Sequence, residues 1–386
     1  MNYLIFSPHF PPNYTSFSVR LRQMGVNVLG MADAPYHELR SELKSALTEY
    51  YRLNDAHSYD EKVRALGYFT HRYGKLDRLE SHNEYWLESD AQLRKDFNIA
   101  GFQPEDMERI KRKSKMKKVF IQSGIPVARG KVARSIYDAL KLADEIGFPL
   151  IAKPDIGVGA SKTYKLHNRK ELEAFFVDKP PEDYIFEEFI QGEIETFDGL
   201  TDQNGKVVFS SAMRFNEGIM DLVNEGKDIC YYTLRDIPED LMAAGLQLAK
   251  AYNLRERFFH FEFFRKPDGN LTVLEVNMRP PGGLTTDVWN YANDIDIYQE
   301  YANVVINNKF KAAVTRPYFC AYVGRRKGKP YRYGHDEILS AFPLQLVHHE
   351  PMSGVFAPAL GDYGYVVRSP EFDELAYMAG AILELA

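Results

Sequence analysis

Two carboxylates, an amide and a guanidinium are spaced in this chain as an oxygen-liganded cation site would need them. The run His260-Phe261-Glu262-Phe263-Phe264 is followed by Leu274-Glu275-Val276-Asn277-Met278-Arg279, which places Glu275 thirteen positions after Glu262. Between the runs lies Lys266-Pro267-Asp268-Gly269-Asn270, where Asp268-Gly269 is a dipeptide that favours a two-residue hairpin turn. Such a turn predicts that Glu262 faces Glu275 and His260 faces Asn277. Side chains alternate along a strand, so His260, Glu262, Glu275 and Asn277 then share one face, and Phe261, Phe263, Leu274 and Val276 take the other. Directly opposed like charges destabilise a hairpin, so the acidic pair calls for a cation. Oxygen donors beside a basic residue suit Mg2+ bridging to phosphates. A solvated polar face on an ordinary hairpin fits the same residues.

A second group follows the apolar run Phe148-Pro149-Leu150-Ile151-Ala152, which reads as a buried strand delivering Lys153 at its end. The loop from Pro154 to Lys162 carries Gly157, Gly159 and Ser161. Glycines let backbone amides approach an anion closely, although a plain surface turn explains them as well. The stretch Gly157 to Thr163 imitates a Walker A loop, but Ile156 and Ser161 stand where that pattern requires glycine.

The elements that must position these groups can be read coarsely. The first hundred residues alternate short apolar runs, such as Tyr3-Leu4-Ile5-Phe6 and Val26 to Met31, with helical patterns, which predicts a small parallel Rossmann-like α/β unit. No GxGxxG follows the first strand, so a dinucleotide site there is not expected, and Ser7, His9 and Phe10 are loop residues free to face a substrate. Helices are predicted over 83–96 and 105–122, and another starting at Ser135 and stopping at Gly147. A strand spans 183–190, and runs flanking Asn204-Gly205 form a hairpin. Across that hairpin Arg214 faces Glu195, so an ion pair competes with any substrate contact by Arg214. The tail holds a strand at 318–323 and an amphipathic helix at 370–385.

At 386 residues the chain exceeds one typical core and implies two or three domains. A net charge of -6 argues against a nucleic-acid partner, and the basic run Arg109 to Lys118 reads as a helix face. Cys230 and Cys320 give neither zinc spacing nor a disulfide framework, so a reducing cytoplasm is the expected compartment. His348-His349-Glu350 likewise lacks zinc spacing. The N-terminus lacks a basic leader, and no run approaches membrane-spanning length, so no membrane partner is expected. A homodimer is the base-rate expectation.

Lys113, Lys153 with its glycine loop, Glu187-Glu188-Phe189-Ile190 and the two acidic strands follow in a fixed order, and in this the chain resembles the ATP-grasp superfamily over about 112–283. The carboxylate–amine ligase group, which includes biotin carboxylase, carbamoyl phosphate synthetase and D-alanine:D-alanine ligase, is the nearest in pattern. The resemblance implies an α/β and α+β architecture: a Rossmann-like preATP-grasp domain at 1–104, a two-lobed ATP-grasp domain at 105–308 and a small C-terminal lobe at 309–386. It makes Lys113 and Lys153 phosphate contacts, with Lys115 the alternative to Lys113, under a loop containing Gly157, Gly159 and Ser161. Glu187 accepts from the adenine amino group, and the backbones of Glu188 and Ile190 pair with the ring edge. Ile194 occupies the usual ribose-binding glutamate position, leaving Glu193 or Glu195 for that role. Glu262, Glu275 and Asn277 become ligands for one or two Mg2+, or Mn2+ in its place. Arg279, with Lys153, stabilises the transferred phosphoryl group, and the amides of Gly282 and Gly283 contact an acyl phosphate unless the turn is purely structural. His260 reads as a satisfied structural histidine.

The implied activity joins a small carboxylic acid or amino acid to an amine through an acyl phosphate, converting ATP to ADP and phosphate. An ATP-binding regulator without turnover and a small-molecule kinase are the rival readings.

Overall fold

Short apolar strands separated by amphipathic helices dictate the first unit of the fold. The computed structural model describes residues 1–157, 162–216, 226–352 and 354–386. The strands β1 (Asn2–Phe6), β2 (Asn27–Ala32), β3 (Glu49–Arg52) and β4 (Arg78–Glu80) form a parallel sheet in the order β3-β2-β1-β4. β1 is buried along its whole length, as a strand covered on both faces must be. The helix Tyr59–Tyr73 starts where the Ser58 side chain accepts from the Glu61 amide and stops at Gly74, whose φ of 84° suits glycine. Its Leu66 and Phe69 pack on Leu4, Phe6, Leu29 and Met31.

The single helix expected over 105–122 is two helices, Pro104–Lys111 and Lys113–Gln122, broken at Arg112. Asp155 explains the break. Its carbonyl accepts from the Lys113 amide (2.8 Å), and its carboxylate accepts from the amide (2.8 Å) and hydroxyl (2.9 Å) of Ser114. The orphan donors of a new helix start are thereby satisfied from a distant loop.

A small four-stranded sheet holds β5 (Gly130–Val132), β6 (Leu150–Pro154), β7 (Tyr164–Leu166) and β8 (Tyr184–Glu188) in the order β5-β8-β6-β7. The helices Ile136–Ile146 and Arg169–Val177, capped by Ser135 and Asn168, pack Leu142 and Leu172 against Leu150, Ala152 and Phe186. An eight-stranded sheet carries β9 (Glu193–Thr201), β10 (Val207–Phe215), β11 (Ile229–Thr233), β12 (Phe258–Arg265), β13 (Leu271–Asn277), β14 (Phe319–Arg325), β15 (Leu346–Pro351) and β16 (Tyr363–Ser369). Its order is β13-β12-β9-β10-β11-β14-β16-β15, so the C-terminal strands extend this sheet.

The acidic hairpin reaches the expected facing pairs by an unexpected route. The turn is not the two-residue form: the Lys266 amide donates to Asn270 O (3.0 Å), leaving Pro267 to Gly269 as the loop, with Gly269 at φ 82°. That loop pairs Arg265 with Leu271 and Phe263 with Val273; a bulge then restores Glu262 opposite Glu275 and His260 opposite Asn277. Leu274 is the extra residue. It therefore lies with Phe264 beside the cavity instead of joining Phe261, Phe263 and Val276 in the core.

A buried polar network docks the first unit on the large sheet. Glu80 pairs with Arg94 (2.8 Å) and with Arg257, whose guanidinium also donates to Met278 O (3.1 Å), one residue from Arg279. Tyr3 and Tyr301 share a hydroxyl hydrogen bond of 2.6 Å across the same seam. Among the described residues no helix is long and apolar enough to cross a membrane.

Candidate active site

Alternation along β12 and β13 brings His260, Glu262, Glu275 and Asn277 to one wall of a cavity of about 700 Å3 between the small and large sheets. Asn277 Nδ2 donates toward Glu262 Oε1 (3.4 Å), and Lys113 Nζ lies 3.2 Å from Glu275 Oε1. Among the described residues, no three His, Cys, Asp or Glu side chains gather to hold a metal by themselves. Two carboxylates and an amide do fit a hard cation whose remaining ligands are phosphate oxygens and water. Desolvation alone would raise the Glu262 pKa, but His260, Arg279 and Lys153 outweigh it and hold the carboxyl below its ordinary value.

His260 does more than the sequence suggests. Its Nδ1 lies 2.6 Å from Asp198 Oδ1 and its Nε2 lies 3.2 Å from Glu262 Oε1. Burial opposes a charged imidazole, yet Asp198 and Glu262 lift its pKa to about 9. Asp198, fully buried on β9 and bonded by Thr196 (2.6 Å), is a site residue that sequence reasoning missed. Its signal is the polar pair Thr196 and Asp198 alternating with Phe197 in a buried strand.

The lysines arrive from two elements. β6 delivers Lys153, whose Nζ lies 2.7 Å from Glu187 Oε2. Burial disfavours its charge, but Glu187, Glu275 and Glu262 together hold its pKa above the usual lysine value. The broken helix delivers Lys113, whose Nζ also donates to Gly157 O (3.2 Å). Lys117, one turn further on, lies 2.7 Å from Glu187 Oε1 and donates to Ala128 O; the i, i+4 spacing from Lys113 was its signal in the sequence. Lys115 points elsewhere, to Glu108 at 3.3 Å. Glu187 is buried between two ammonium groups, which overcome its desolvation and keep its carboxyl below the ordinary pKa.

At the end of β8, Glu188 and Ile190 line the cavity with Ile151 and Ile194. β8 stops at Glu188, so Ile190 lies beyond the paired edge. The Glu188 carboxylate is bound by Arg129 (amide 2.7 Å, Nε 2.7 Å). Gly157 lines the cavity, whereas Gly159 and Ser161 lie outside the described residues.

Two expected site residues point away. Glu195 is fully buried with its carboxylate between Arg214 (2.6 Å) and Arg265 (2.9 Å), so it has no free oxygen for a ribose. Arg214 is committed to that pair and, alternating with the cavity residues Met213 and Phe215, sits on the opposite face of β10. Glu193 is likewise 3.4 Å from Arg214.

Arg279 lines the cavity, donates to Pro280 O (2.9 Å) and lies 3.7 Å from Glu84 Oε2 of the first unit. Burial pushes the Glu84 carboxyl above its ordinary pKa despite Arg279 and Lys111. Gly282 lines the cavity next to Arg279, and Gly283, at φ 63°, accepts at its carbonyl from Asn13 Nδ2 (3.0 Å).

The family model described as "ATP-grasp domain" matches residues 146–287, the span holding Lys153, Glu187 and the acidic hairpin. Over these residues the chain is similar to the ATP-grasp family. Over 254 residues it is 24% identical to the L-arginine-specific L-amino acid ligase of Bacillus subtilis, covering 61% of each chain. The carbamoyl phosphate synthase large chain of Methanothermobacter thermautotrophicus is 23% identical, with 21% of its length covered. The chain thus spans less than two thirds of the curated relatives it matches. Beyond these residues the whole fold is shared with an L-amino acid ligase from Bacillus licheniformis, at a TM-score of 0.75, 15% identity and coverage of 98% of this chain and 95% of that one. It is also shared with N5-carboxyaminoimidazole synthetase from Staphylococcus aureus complexed with ADP, at a TM-score of 0.77, 13% identity and coverage of 99% and 97%.

Proposed function

We propose that this protein is an ATP-dependent carboxylate–amine ligase working through an acyl phosphate. The observation that carries the reading is the convergence of Lys113, Lys153, Glu262, Glu275, Asn277 and Arg279 on one cavity that apolar residues also line. Adenine binding alone has no use for opposed carboxylates facing two buried lysines.

In this reading the adenine lies between Ile151 and Leu274 with its edge against the backbone of Glu188 and Ile190, while Glu187, expected to accept from the amino group, has its two oxygens engaged by Lys117 and Lys153 and serves to place those lysines. Lys113 and Lys153 neutralise the phosphates. Glu262, Glu275 and Asn277 would hold one or two Mg2+, or Mn2+ in its place, which would supply the charge compensation that phosphoryl transfer requires. A carboxylate oxygen of the substrate attacks the γ-phosphorus; the bond to the β,γ-bridging oxygen breaks and ADP departs. Arg279 faces the oxygens on which charge builds, and the Gly282 backbone borders the acyl phosphate. An amine nitrogen then attacks the acyl carbon, loses a proton and expels inorganic phosphate, leaving an amide. No protein nucleophile is needed.

The test is ADP release with pooled carboxylates and amines, followed by mass spectrometry of the product. Wild-type protein should release ADP and yield an amide, and Glu275→Gln should bind ATP without turnover. A phosphoester product, or ATP binding unaffected by every substrate pool with no ADP formed, would overturn the assignment.

A further inference from the structure

Resting on the ligase reading, we infer that the carboxylate this site activates carries an apolar substituent, as in leucine, methionine or phenylalanine. The turn that follows Arg279 borders an apolar stretch of the cavity lining: Met213, Phe215 and Tyr231 of the large sheet, Pro281, Gly282 and Thr285 of the turn, and Val355, Phe356, Ala359 and Leu360 of the C-terminal segment. None of these residues carries a charge.

The few polar groups there are spent on each other. The Tyr231 hydroxyl and the Thr285 hydroxyl share a 2.8 Å hydrogen bond, and Thr285 in turn donates to Gly282 O (2.9 Å). Tyr231 therefore offers only its ring, stacked between Phe215 (4.9 Å) and Tyr322 (5.1 Å). Phe356 is held in place by stacking on Phe10 at 5.4 Å with ring planes 9° apart, so the β1 loop of the first unit braces this wall. A Cβ at position 282 would sit 3.2 Å from the Phe356 ring, and one at 283 would collide with Leu360. The glycines thus let the Arg279 turn press against the apolar wall.

A substrate phosphate or guanidinium placed here would lose its water and find no charged partner among the described residues of this wall, whereas an alkyl or aryl group would gain burial. Because apolar pockets discriminate by about tenfold or more for each methylene they bury, the preference should be readable in kinetics.

The experiment measures kcat/KM for ADP release with leucine, methionine and phenylalanine, with their des-amino acids, and with arginine, aspartate and a phosphorylated sugar acid. Calorimetry of the same compounds in the presence of Mg2+ and a non-hydrolysable ATP analogue runs in parallel. The expected result is that apolar acids exceed charged ones by at least about tenfold, and that Phe356→Asp reverses the preference for leucine over arginine. The des-amino arm tells an α-amino acid from a plain carboxylic acid. Charged acids preferred in turnover would overturn the inference while leaving the ligase reading intact. If nothing turns over, the ligase reading fails, and calorimetry decides the pocket: binding of apolar acids alone supports it, and absence of their binding overturns it. Phe356→Leu, expected to fold and to keep the apolar preference, guards against a collapsed Phe356→Asp variant.

Discussion

The imidazole of His260 joins Asp198, 2.6 Å away, to Glu262 Oε1, 3.2 Å away, so one buried cation orients a carboxylate of the proposed metal pair. It occupies Oε1 and leaves Oε2 for a cation. Partners of this kind commonly tune metal affinity by about 10–100-fold. His260→Ala should weaken Mg2+ binding in the presence of ADP by that factor, measured calorimetrically. Unchanged affinity would reduce His260 to a packing residue.

Arg279→Ala should lower kcat by about 10²–10³, equivalent to about 2.7–4 kcal/mol of barrier, by analogy with deleting an oxyanion donor. The KM for ATP should change little, because the nucleotide is held mainly from the lysine side. Steady-state kinetics separates the two.

Lys117→Met tests the buried triad in which Glu187 sits 2.7 Å from both Lys117 and Lys153. Removing one partner of a buried pair costs about 3–5 kcal/mol, and the lower figure applies because Lys153 stays. The denaturant midpoint should fall with no change in slope.

Asp155→Ala should cost about 0.5–2 kcal/mol as a lost helix cap. It should also raise the KM for ATP severalfold, since Asp155 fixes the start of the helix that presents Lys113. A stability loss with KM intact would separate the cap from nucleotide binding.

Asp90 offers a pH test away from the site. Burial raises its pKa to about 6, against the lowering effect of Arg94, with Glu80 raising it further and Ser81 and Arg257 lowering it. The folded state therefore binds more protons than the unfolded one between about pH 4 and 6, so this group costs stability as pH rises through that window, by up to about 3 kcal/mol. Asp90→Asn should gain in melting temperature relative to wild type from pH 4 to pH 7. A constant difference would refute the buried-charge account.

Much of the site was legible because it is local. The pattern Glu262, Glu275, Asn277 lies on one hairpin, and alternation alone places the three side chains together. Lys153 could be read from the apolar run that ends on it. What escaped depends on contacts distant in sequence: Asp198 meets His260 only because β9 pairs with β12, and the helix break at Arg112 is imposed by Asp155. Glu195 was misplaced for a related reason. Its pairing with Arg214 was visible, but Arg265 completes the clamp from β12. The turn was misjudged by one residue, and the facing pairs still came out right because the bulge at Leu274 compensates.

That bulge insulates the metal grip from the exposed hairpin tip. Slack of one residue near Leu274 allows the tip to be redesigned, recut or tagged without dragging the acidic pair along, whereas smoothing the bulge would swing Glu275 toward the greasy side of the sheet.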